Sequence, residues 1–471
     1  MSEFLKLDRE SAIELIRKEP EKFYDLICNL IARVENLERE NTELKRRLNI
    51  NSKNSSQPPS KDRFKPKKNL REKSNRKHGA QPGHVGKSLL MVNNPDHTSI
   101  IEKTTCDKCN TDLKEGTNYK KYKRQVFDLP VLPRMEVTEY VSYSKICPCC
   151  SHKNPPFFPS NVTNNTQYGK NIESLIIYFH DYQLLPFERV TEIFNDLFGF
   201  EISVGTIQNT SEEYFELLVE EDIKTLIKTG SQAVINADET PVSVNGKLNF
   251  IYTFSSNDVS YLFPHTSRGI IGLEESGIFN IFKGTLVHDF NPSYFMYKGI
   301  HASCNVHLLR ELKYVTEEMN QQWSKDMTSL LMETKKVREE LILKGILEFD
   351  STTINEVIKK YSEIISSAYL ENIEWFPKRY KNKAMNLYLR FEKHRDKILR
   401  YIYDFNVPFD NNLAERELRM SKLKMKISGC FRSFRSLQFF CRIRNFISNS
   451  RKNGLSVLGA ISDLFASKAF G

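Results

Sequence analysis

Three acidic residues occur where carboxylates could bind divalent metal ions. Asp238 follows an apolar run over 233–237, and Asp289 follows another over 284–288. Both runs have strand character, so we predict that each acid ends a strand and that adjacent strands bring the two acids together. Glu415 lies at the start of a predicted helix and could complete the set. Such oxygen ligands suit Mg²⁺ or Mn²⁺, and two such ions would catalyse phosphoryl transfer on DNA.

Four cysteines have the spacing of a zinc site, because each Cys-x-x-Cys pair can form a turn that points two thiolates at one ion. The predicted ligands are Cys106, Cys109, Cys147 and Cys150. Cys149 has no assigned role, although it could replace a neighbour. Four thiolates leave no open position for water, so the predicted Zn²⁺ is structural. Residues 126–130 and 137–143 between the pairs have strand character, which predicts a zinc-ribbon-like module. The nine cysteines are an odd number without a secretion signal, which argues against a disulfide framework.

Basic residues are concentrated in two parts of the chain, whose formal net charge is +10. One concentration covers 61–77, and the other begins at Arg416 and continues through Arg435, Arg442 and Arg444. Clustered Lys and Arg neutralise phosphates, which is the usual dominant source of affinity for nucleic acid. For the first run, a solvated tail is an equally good interpretation. In the second we predict DNA contacts by Arg416, Arg419, Lys422, Lys424 and Lys426.

A heptad pattern in the first fifty residues predicts a coiled coil. Apolar positions recur at alternating spacings of four and three, and Asn41 falls on the same stripe. A polar Asn at an a-type position favours a two-stranded parallel register, so we expect a homodimer or higher oligomer. An amphipathic helix that packs on its own chain is the alternative. The stripe consists of Leu30, Val34, Leu37, Leu44 and Leu48.

Two helices separated by a glycine are predicted between 172 and 218. Apolar residues recur at helical spacing up to Phe198, Gly199 breaks the pattern, and Ser203 can start a second helix. This arrangement is typical of a helix-turn-helix, which would contact DNA. Two helices that only pack together in a core are the alternative.

The second half of the chain changes from strand-like to helical periodicity. Strands are predicted near 233–237, 250–254, 259–263 and 284–288, which indicates an α/β domain. Residues 302–401 have almost entirely helical character. Because Glu415 lies beyond this block, we interpret the block as a helical insertion within the catalytic domain.

These patterns predict a multidomain α+β protein, and 471 residues are enough for several domains. Residues 51–86 contain few large apolar residues, which predicts a flexible linker. The predicted parts are an N-terminal helix with the coiled coil (1–50), a basic linker (51–98), a zinc-binding module (99–160), a helical DNA-binding region (165–228), a first part of the catalytic core (229–312), the helical insertion (313–405), and a second part of the core with basic C-terminal helices (406–471).

Six motifs occur in a specific order along nearly the whole chain. They are the zipper-like helix, Asn-Ser-Ser-Gln-Pro-Pro-Ser-Lys-Asp over 54–62, Gln-Pro-Gly-His over 81–84, the paired Cys-x-x-Cys, Asp-Glu-Thr-Pro over 238–241, and Asn-Asn-x-x-Glu-Arg over 411–416. Together they resemble the bacterial transposases of the insertion sequence 66 family. The resemblance implies a ribonuclease H-like catalytic domain, with the helical insertion before the last acid. It also implies a DDE triad formed by Asp238, Asp289 and Glu415.

The same resemblance implies partners and a reaction. The DNA partners would be the terminal inverted repeats of a mobile element and its target DNA, and small accessory proteins of the same element could assist. Water would attack a phosphodiester at the element end, and the released 3′-hydroxyl would then attack the target. The alternatives are a ribonuclease H-like nuclease that only hydrolyses and a DNA-binding regulator derived from a transposase.

Two segments that follow Asp289 differ from the pattern of the insertion sequence 66 family. Phe290-Asn291 follows Asp289, where many relatives have Gly-Tyr or Gly-Trp. His301-x-x-Cys304-x-x-His307, followed by Arg310, resembles the family's Cys-x-x-His-x-x-Arg stretch. Its spacing could bind zinc, but on one helix face these side chains would rather pack or contact DNA.

No part of the sequence predicts a membrane partner. No apolar run approaches the roughly 18 residues needed to cross a bilayer, and the N-terminus lacks a signal-peptide pattern. We therefore expect a cytoplasmic protein that is associated with the nucleoid when bound to DNA.

Overall fold

The computed structural model describes residues 9–49, 91–101, 103–115, 123–127, 135–146 and 148–467. Most of the predicted linker lies outside these residues, together with the basic run over 61–77, the motifs over 54–62 and 81–84, and Cys147. Within the described ranges, no helix combines the length and the apolar character that a membrane span requires.

Helices make up most of the described chain. They are α1 (Arg9–Lys18), α2 (Pro20–Asn49), α3 (Lys170–Ile177), α4 (Phe187–Phe198), α5 (Val204–Leu217), α6 (Val219–Gly230), α7 (Ile270–Glu275), α8 (Ile278–Ile281), α9 (Asn305–Met319), α10 (Gln322–Leu343), α11 (Ser351–Asn372), α12 (Lys383–Lys393), α13 (Arg395–Ile398), α14 (Arg400–Tyr403), α15 (Asn412–Ser428), α16 (Phe434–Lys452) and α17 (Val457–Ser467). The strands are β1 (Lys145–Ile146), β2 (Lys153–Asn154), β3 (Val234–Val244), β4 (Lys247–Ser255), β5 (Ser260–His265), β6 (Thr285–His288) and β7 (Ile300–Ser303).

The N-terminal heptad pattern forms one continuous helix, α2. Its apolar stripe is uncovered in the single chain, since Leu30, Val34, Leu37 and Leu44 are 46–58% exposed. A helix packed on its own chain would bury these side chains, so the exposure does not favour that alternative. Dimerisation through the stripe stays a prediction.

The helix pair predicted before the sheet is present as α4 and α5. Gly199 ends α4 in the left-handed conformation (φ 74°), and the Ser203 hydroxyl begins α5 by accepting the Thr206 N–H at 3.0 Å. The exposed surface of the pair is largely acidic, with Glu188, Glu192, Asp196, Glu212 and Glu216. DNA contact by this pair stays a prediction, and these charges would repel phosphates along most of its surface.

A mixed five-stranded sheet lies at the centre of the α/β region, in the order β5-β4-β3-β6-β7. The strands β3, β4 and β5 pair antiparallel, whereas β6 pairs parallel to both β3 and β7. All four predicted strands are confirmed. The sequence prediction missed β7, because its four residues include two polar ones, His301 and Ser303, that are buried.

Helices cover both faces of this sheet. Side chains alternate along β3, so Ile235 and Ala237 join a core with α7 and α8 on one face. Val242 and Val244 point to the other face and pack against Leu418 of α15 and residues of α16. Asp238 lies an even number of residues from Val242 and therefore points to the α15 face.

The predicted helical insertion is present as α9 to α14, between β7 and α15. It has its own core, in which Trp323, Leu331, Met385 and Phe391 are fully buried. The insertion therefore packs around its own interior rather than lengthening the sheet. The two ends of the insertion meet next to β7, where the N–H of Asn305, at the start of α9, donates to the carbonyl of Phe409, just before α15, at 3.1 Å.

Candidate active site

The two predicted strand-end acids lie side by side. Strands β3 and β6 run parallel, and their last paired residues are Asn236 and Val287. Asp238 and Asp289 each follow two residues later, so they occupy equivalent positions on neighbouring strands. The predicted proximity of the two acids is confirmed, because Asp289 acts electrostatically on Asp238. The prediction that Asp238 ends its strand is wrong: β3 continues past it to Val244, paired with β4, whereas β6 stops just before Asp289.

Glu415 is brought to the same place by the first turn of α15. The buried Asn411, just before the helix, fixes this position. Its side-chain amide donates to the Ala237 carbonyl at 2.7 Å and accepts from the Asn236 amide at 2.8 Å. Its backbone N–H donates to Cys304 Sγ at 3.3 Å. Asn411 thus ties the start of α15 to the strand that carries Asp238.

The far end of α15 is attached to the same strand. Just after the helix, the Phe431 N–H donates to the Ser243 carbonyl at 2.9 Å, and the Asn245 N–H donates to the Phe431 carbonyl at 2.8 Å. Because both ends of α15 are bonded to β3, the direction of the helix across the sheet is fixed. Glu415 is therefore held by rigid elements rather than by a loop.

Burial and mutual repulsion dominate the electrostatics of the three acids. Burial raises the pKa of Asp238 well above its usual range, and repulsion from Asp289, Glu239 and Glu415 raises it further. Burial also raises the pKa of Asp289, where repulsion from Glu239 adds to the effect. When buried carboxylates lie close together, the site is stabilised either by protonation of a carboxylate or by a bound cation.

A fourth carboxylate, Glu239, is fully hydrogen-bonded on the opposite face of β3. The Arg268 guanidinium donates to its Oε1 at 2.6 and 3.0 Å, the Asn291 amide donates to the same oxygen at 2.6 Å, and the Tyr294 hydroxyl donates to Oε2 at 2.6 Å. The Asn291 N–H also donates to Asp289 at 3.0 Å. Asn291, which departs from the family pattern, therefore connects Asp289 to this network.

Sequence reasoning missed the Glu239 network, although Glu239 directly follows Asp238. Arg268 and Tyr294 lie far from it in sequence and belong to no motif, so only the tertiary structure identifies them. The Arg268 side chain is 60% exposed and lies near Asp289, whose negative charge raises the pKa of the guanidinium after the larger effect of its hydrogen bond to Glu239. It places one positive charge beside the acids.

The segment from His301 to His307 does not form the single helix face that the sequence predicted. His301 belongs to β7, where its ring contacts His288 at 2.9 Å and the Tyr297 carbonyl at 3.0 Å. The helix α9 begins only after Cys304, because strand pairing to β6 continues to Ser303. His307 lies on α9, and its Nε2 is 4.0 Å from Glu415 Oε1.

The basic residues predicted to bind DNA fall into two groups. Arg416, Arg419, Lys422 and Lys426 are exposed, and within the described chain none of them forms an ion pair. Lys424 lies on the opposite side of α15 and is half-buried; burial lowers its pKa, and the nearby Asp181 partly offsets this effect.

The basic residues of α16 contact other parts of the fold. Arg435 pairs with Glu216, and Arg442 pairs with Asp222 at 3.2 Å. Arg444 is only 5% exposed. These contacts leave the three arginines less available to phosphates than the cations of α15, and their part in DNA binding stays a prediction.

The three predicted zinc ligands that the structure describes, Cys106, Cys109 and Cys150, lie in short turns that do not come together. Cys106 and Cys109 belong to a turn closed by a bridge between Thr105 and Asp112, in which the Lys108 N–H points at Cys106 Sγ at 3.5 Å. Cys150 lies in the turn between β1 and β2. Among the described residues these three thiols form no common ligand cluster, so the zinc site stays a prediction.

The strand predicted over 137–143 is wrong. The chain pairs only from Lys145 onward, as β1 with β2. Val137, Val141 and Tyr143 are 64–82% exposed, so the alternating pattern that suggested a strand has no core to pack against.

Comparison with known protein families agrees with this architecture. Residues 165–438, which include the helical pair, the sheet, the insertion and α15, match the family described as Transposase IS66 family. Residues 9–89 match a Family of unknown function (DUF6444). No curated protein shows a significant match to the chain. Since the first match covers more than half of the sequence, the chain belongs to the IS66 family of transposases.

Proposed function

We propose that this transposase cuts the ends of its element and joins them to target DNA through a DDE triad formed by Asp238, Asp289 and Glu415. The observation that carries the proposal is that Asp289 and Glu415 both lie near Asp238 in β3, although Glu415 follows a separate helical insertion. A sheet with three antiparallel strands continued by two parallel ones supports a ribonuclease H-like catalytic domain.

The residues present fit divalent metal ions. Asp238 and Asp289 are carboxylates whose burial and repulsion favour a bound cation, and all three acids offer the hard oxygen ligands that Mg²⁺ or Mn²⁺ accepts. When bound, such ions would activate the attacking oxygen and stabilise the leaving oxygen of an in-line displacement. Asp238, Asp289 and Glu415 would hold them.

The chain's other residues would orient the reacting groups. Asn411 holds Glu415 against β3, and Arg268 presents a positive charge beside the acids. Nε and Nη2 of Arg268 donate to Glu239, and the remaining Nη1 of this exposed side chain would bind a phosphate next to the scissile bond. The first displacement, by water, would release a 3′-hydroxyl at the element end, and that hydroxyl would attack the target DNA in the second. Neither step requires a covalent bond between DNA and protein.

The test is a cleavage and joining assay with labelled DNA that carries the element's own ends. Glu415→Gln keeps the size of the side chain but removes its charge, so we expect intact DNA binding and at least a roughly 10³-fold loss of cleavage, equivalent to several kcal/mol of lost transition-state stabilisation. Glu317→Gln makes the same change at an exposed glutamate of α9 and should cut normally. Normal cleavage by Glu415→Gln would remove Glu415 from the triad.

The same assay separates the alternatives. A regulator would bind the element ends without metal-dependent cutting, and a simple nuclease would cut without joining. Cleavage followed by joining in the wild type supports the transposase mechanism.

We also propose that DNA follows α15 away from the acids. At about 100° per residue, Glu415, Arg419, Lys422 and Lys426 fall within an arc of about 60° on this helix, with Arg416 beside them. The three cations are exposed, so they are available to phosphates. A duplex or strand bound along this face would lead directly to Glu415.

Neutralising this face should weaken DNA binding in a salt-dependent way. Arg419→Gln and Lys422→Gln should each lower the slope of log affinity against log salt by roughly one, because each removes about one phosphate contact. Arg435→Gln is the matched control, since Arg435 is equally basic but pairs with Glu216. Fluorescence anisotropy over a salt series measures the slopes. Equal slopes for all three variants would contradict the proposed path.

A further inference from the structure

Cys304, His307 and Glu415 form a second arrangement of ligands next to the three acids. One potential metal-binding atom from each residue lies within 4.8 Å of the other two. Within the described part of the chain this is the single three-residue cluster of cysteine, histidine or acidic side chains with that geometry. Cys304 precedes α9, His307 lies in its first turn, and Glu415 comes from α15.

Two further observations indicate that this cluster is incomplete without a ligand. The Nδ1 atom of His307 is buried and has no hydrogen-bond partner among the described residues. Its Nε2 atom is 4.0 Å from Glu415 Oε1, which is too long for a hydrogen bond. Buried polar atoms are normally paired, and the His307 ring, with Nδ1 unpaired and Nε2 beyond hydrogen-bond distance of Glu415, has the unsatisfied nitrogens that a metal ligand would have without its ion.

We propose that Cys304, His307 and Glu415 form a Zn²⁺ site. Zinc accepts sulfur, nitrogen and oxygen ligands at about 2.0–2.3 Å, so its ligand atoms are separated by about 3.3–3.8 Å in a tetrahedral site. Atoms within 4.8 Å of each other need to move by only about an ångström to reach this geometry. Three protein ligands leave one position open.

The donor set selects zinc over magnesium. Mg²⁺ requires oxygen ligands, whereas a thiolate and an imidazole suit Zn²⁺. The backbone N–H of Asn411 already points at Cys304 Sγ at 3.3 Å and would stabilise a metal-bound thiolate. The site shares Glu415 with the proposed triad, so zinc bound there would withdraw this carboxylate from catalysis. Low concentrations of Zn²⁺ should therefore inhibit the enzyme.

Direct zinc binding tests the site without any DNA. We expect Cys304→Ser and His307→Gln to bind one Zn²⁺ fewer per chain than the wild type, or to bind it at least about 100-fold more weakly. Cys430→Ser replaces a cysteine outside the cluster and should bind the wild-type amount. Because the variants are compared with the wild type, the result does not depend on whether a zinc ion is also bound by Cys106, Cys109, Cys147 and Cys150. Circular dichroism checks that each variant is folded.

A spectroscopic readout identifies the sulfur ligand. Metal-free wild-type protein and Cys304→Ser are each titrated with Co²⁺ until the absorbance no longer changes. The near-ultraviolet thiolate-to-cobalt charge-transfer absorbance should be lower in Cys304→Ser, whether or not other cysteines also bind cobalt. Equal zinc content in the wild type and Cys304→Ser, or the same cobalt band in both, would show that Cys304 is only a hydrogen-bond acceptor and would overturn the site.

Inhibition links the site to activity. Zn²⁺ should inhibit Mg²⁺-dependent cleavage by the wild type at concentrations at least about 100-fold below those needed for Cys304→Ser, with each protein compared to its own zinc-free rate. Equal sensitivity of the two proteins would overturn the inhibitory role. The zinc-binding result stands apart from the proposed transposase mechanism, since it is measured even if no cleavage occurs.

Discussion

Replacing Asp238 by asparagine should abolish DNA cleavage and at the same time stabilise the metal-free protein. The first effect follows from the proposed role of Asp238 as a metal ligand, and we expect at least a roughly 10³-fold lower rate. The second follows from the raised pKa of Asp238, which is caused by burial and by repulsion from Asp289, Glu239 and Glu415. In the metal-free wild type this site must either hold the buried charge or take up a proton, and asparagine removes that cost.

The stability effect has a defined pH dependence. An acid whose pKa is higher in the folded than in the unfolded chain binds more protons when folded, so the free energy of unfolding decreases as pH rises above the unfolded value of about 3.9. Asp238→Asn should therefore be more stable than the wild type at pH 7, and the gain should shrink as the pH falls and be absent at about pH 4 and below, where the aspartic acid is protonated in both states.

Thermal unfolding in chelator, at several pH values and then with Mg²⁺, measures this gain. Asp258→Asn, at an exposed acid in the loop between β4 and β5, is the control and should melt as the wild type does. Added Mg²⁺ should stabilise the wild type more than Asp238→Asn, because bound ligand stabilises only the state that binds it. A metal-free Asp238→Asn protein that is less stable than the wild type would contradict our account of this site.

Replacing Asn411 by alanine should have the second large effect. The substitution removes the side chain that pairs with the Ala237 carbonyl and the Asn236 amide, both buried at the strand that carries Asp238. Leaving these groups without partners should cost about 2–4 kcal/mol of unfolding free energy. It should also release the start of α15, so cleavage should fall at temperatures where the variant is still folded.

Asn412→Ala is the matched control, since it changes the same residue type one position later, where the side chain is exposed. Urea unfolding and cleavage at 20 °C are the two measurements. If Asn411→Ala unfolds more easily but cleaves at the wild-type rate, Asn411 is a stabilising residue only and does not position Glu415.

Much of the catalytic region could be predicted from local sequence patterns. Strand periodicity predicted a strand up to each of Asp238 and Asp289, and parallel pairing of β3 with β6 brings the two acids together. It did not predict that β3 continues past Asp238, since Glu239 and Thr240 interrupt the apolar run. The break at Gly199 and the cap at Ser203 are equally local signals, since each depends on the conformation or hydrogen bonding of one residue. The family resemblance supplied Glu415, which local pattern alone marked only as an acid at the start of a helix.

The features that sequence reasoning missed depend on distant partners. The asparagine pair Asn236 and Asn411 is separated by 175 positions, and nothing in either neighbourhood predicts the contact. For the same reason, the basic character of Arg435 and Arg442 suggested DNA binding, although their acidic partners lie about 220 residues earlier. Charge in a sequence shows what a residue could bind, and only the fold shows whether that capacity is already used.

If the three acids form the proposed triad, the separation of Asn411 from β3 along the chain also determines when the protein could become active. During synthesis Asp238 and Asp289 emerge first, whereas the helix that carries Glu415 emerges only after the whole insertion. A nascent or prematurely terminated polypeptide would thus contain two of the three acids and no means of holding the last. On the proposed mechanism, the ribosome would release no fragment able to cut the host chromosome before the catalytic region is finished.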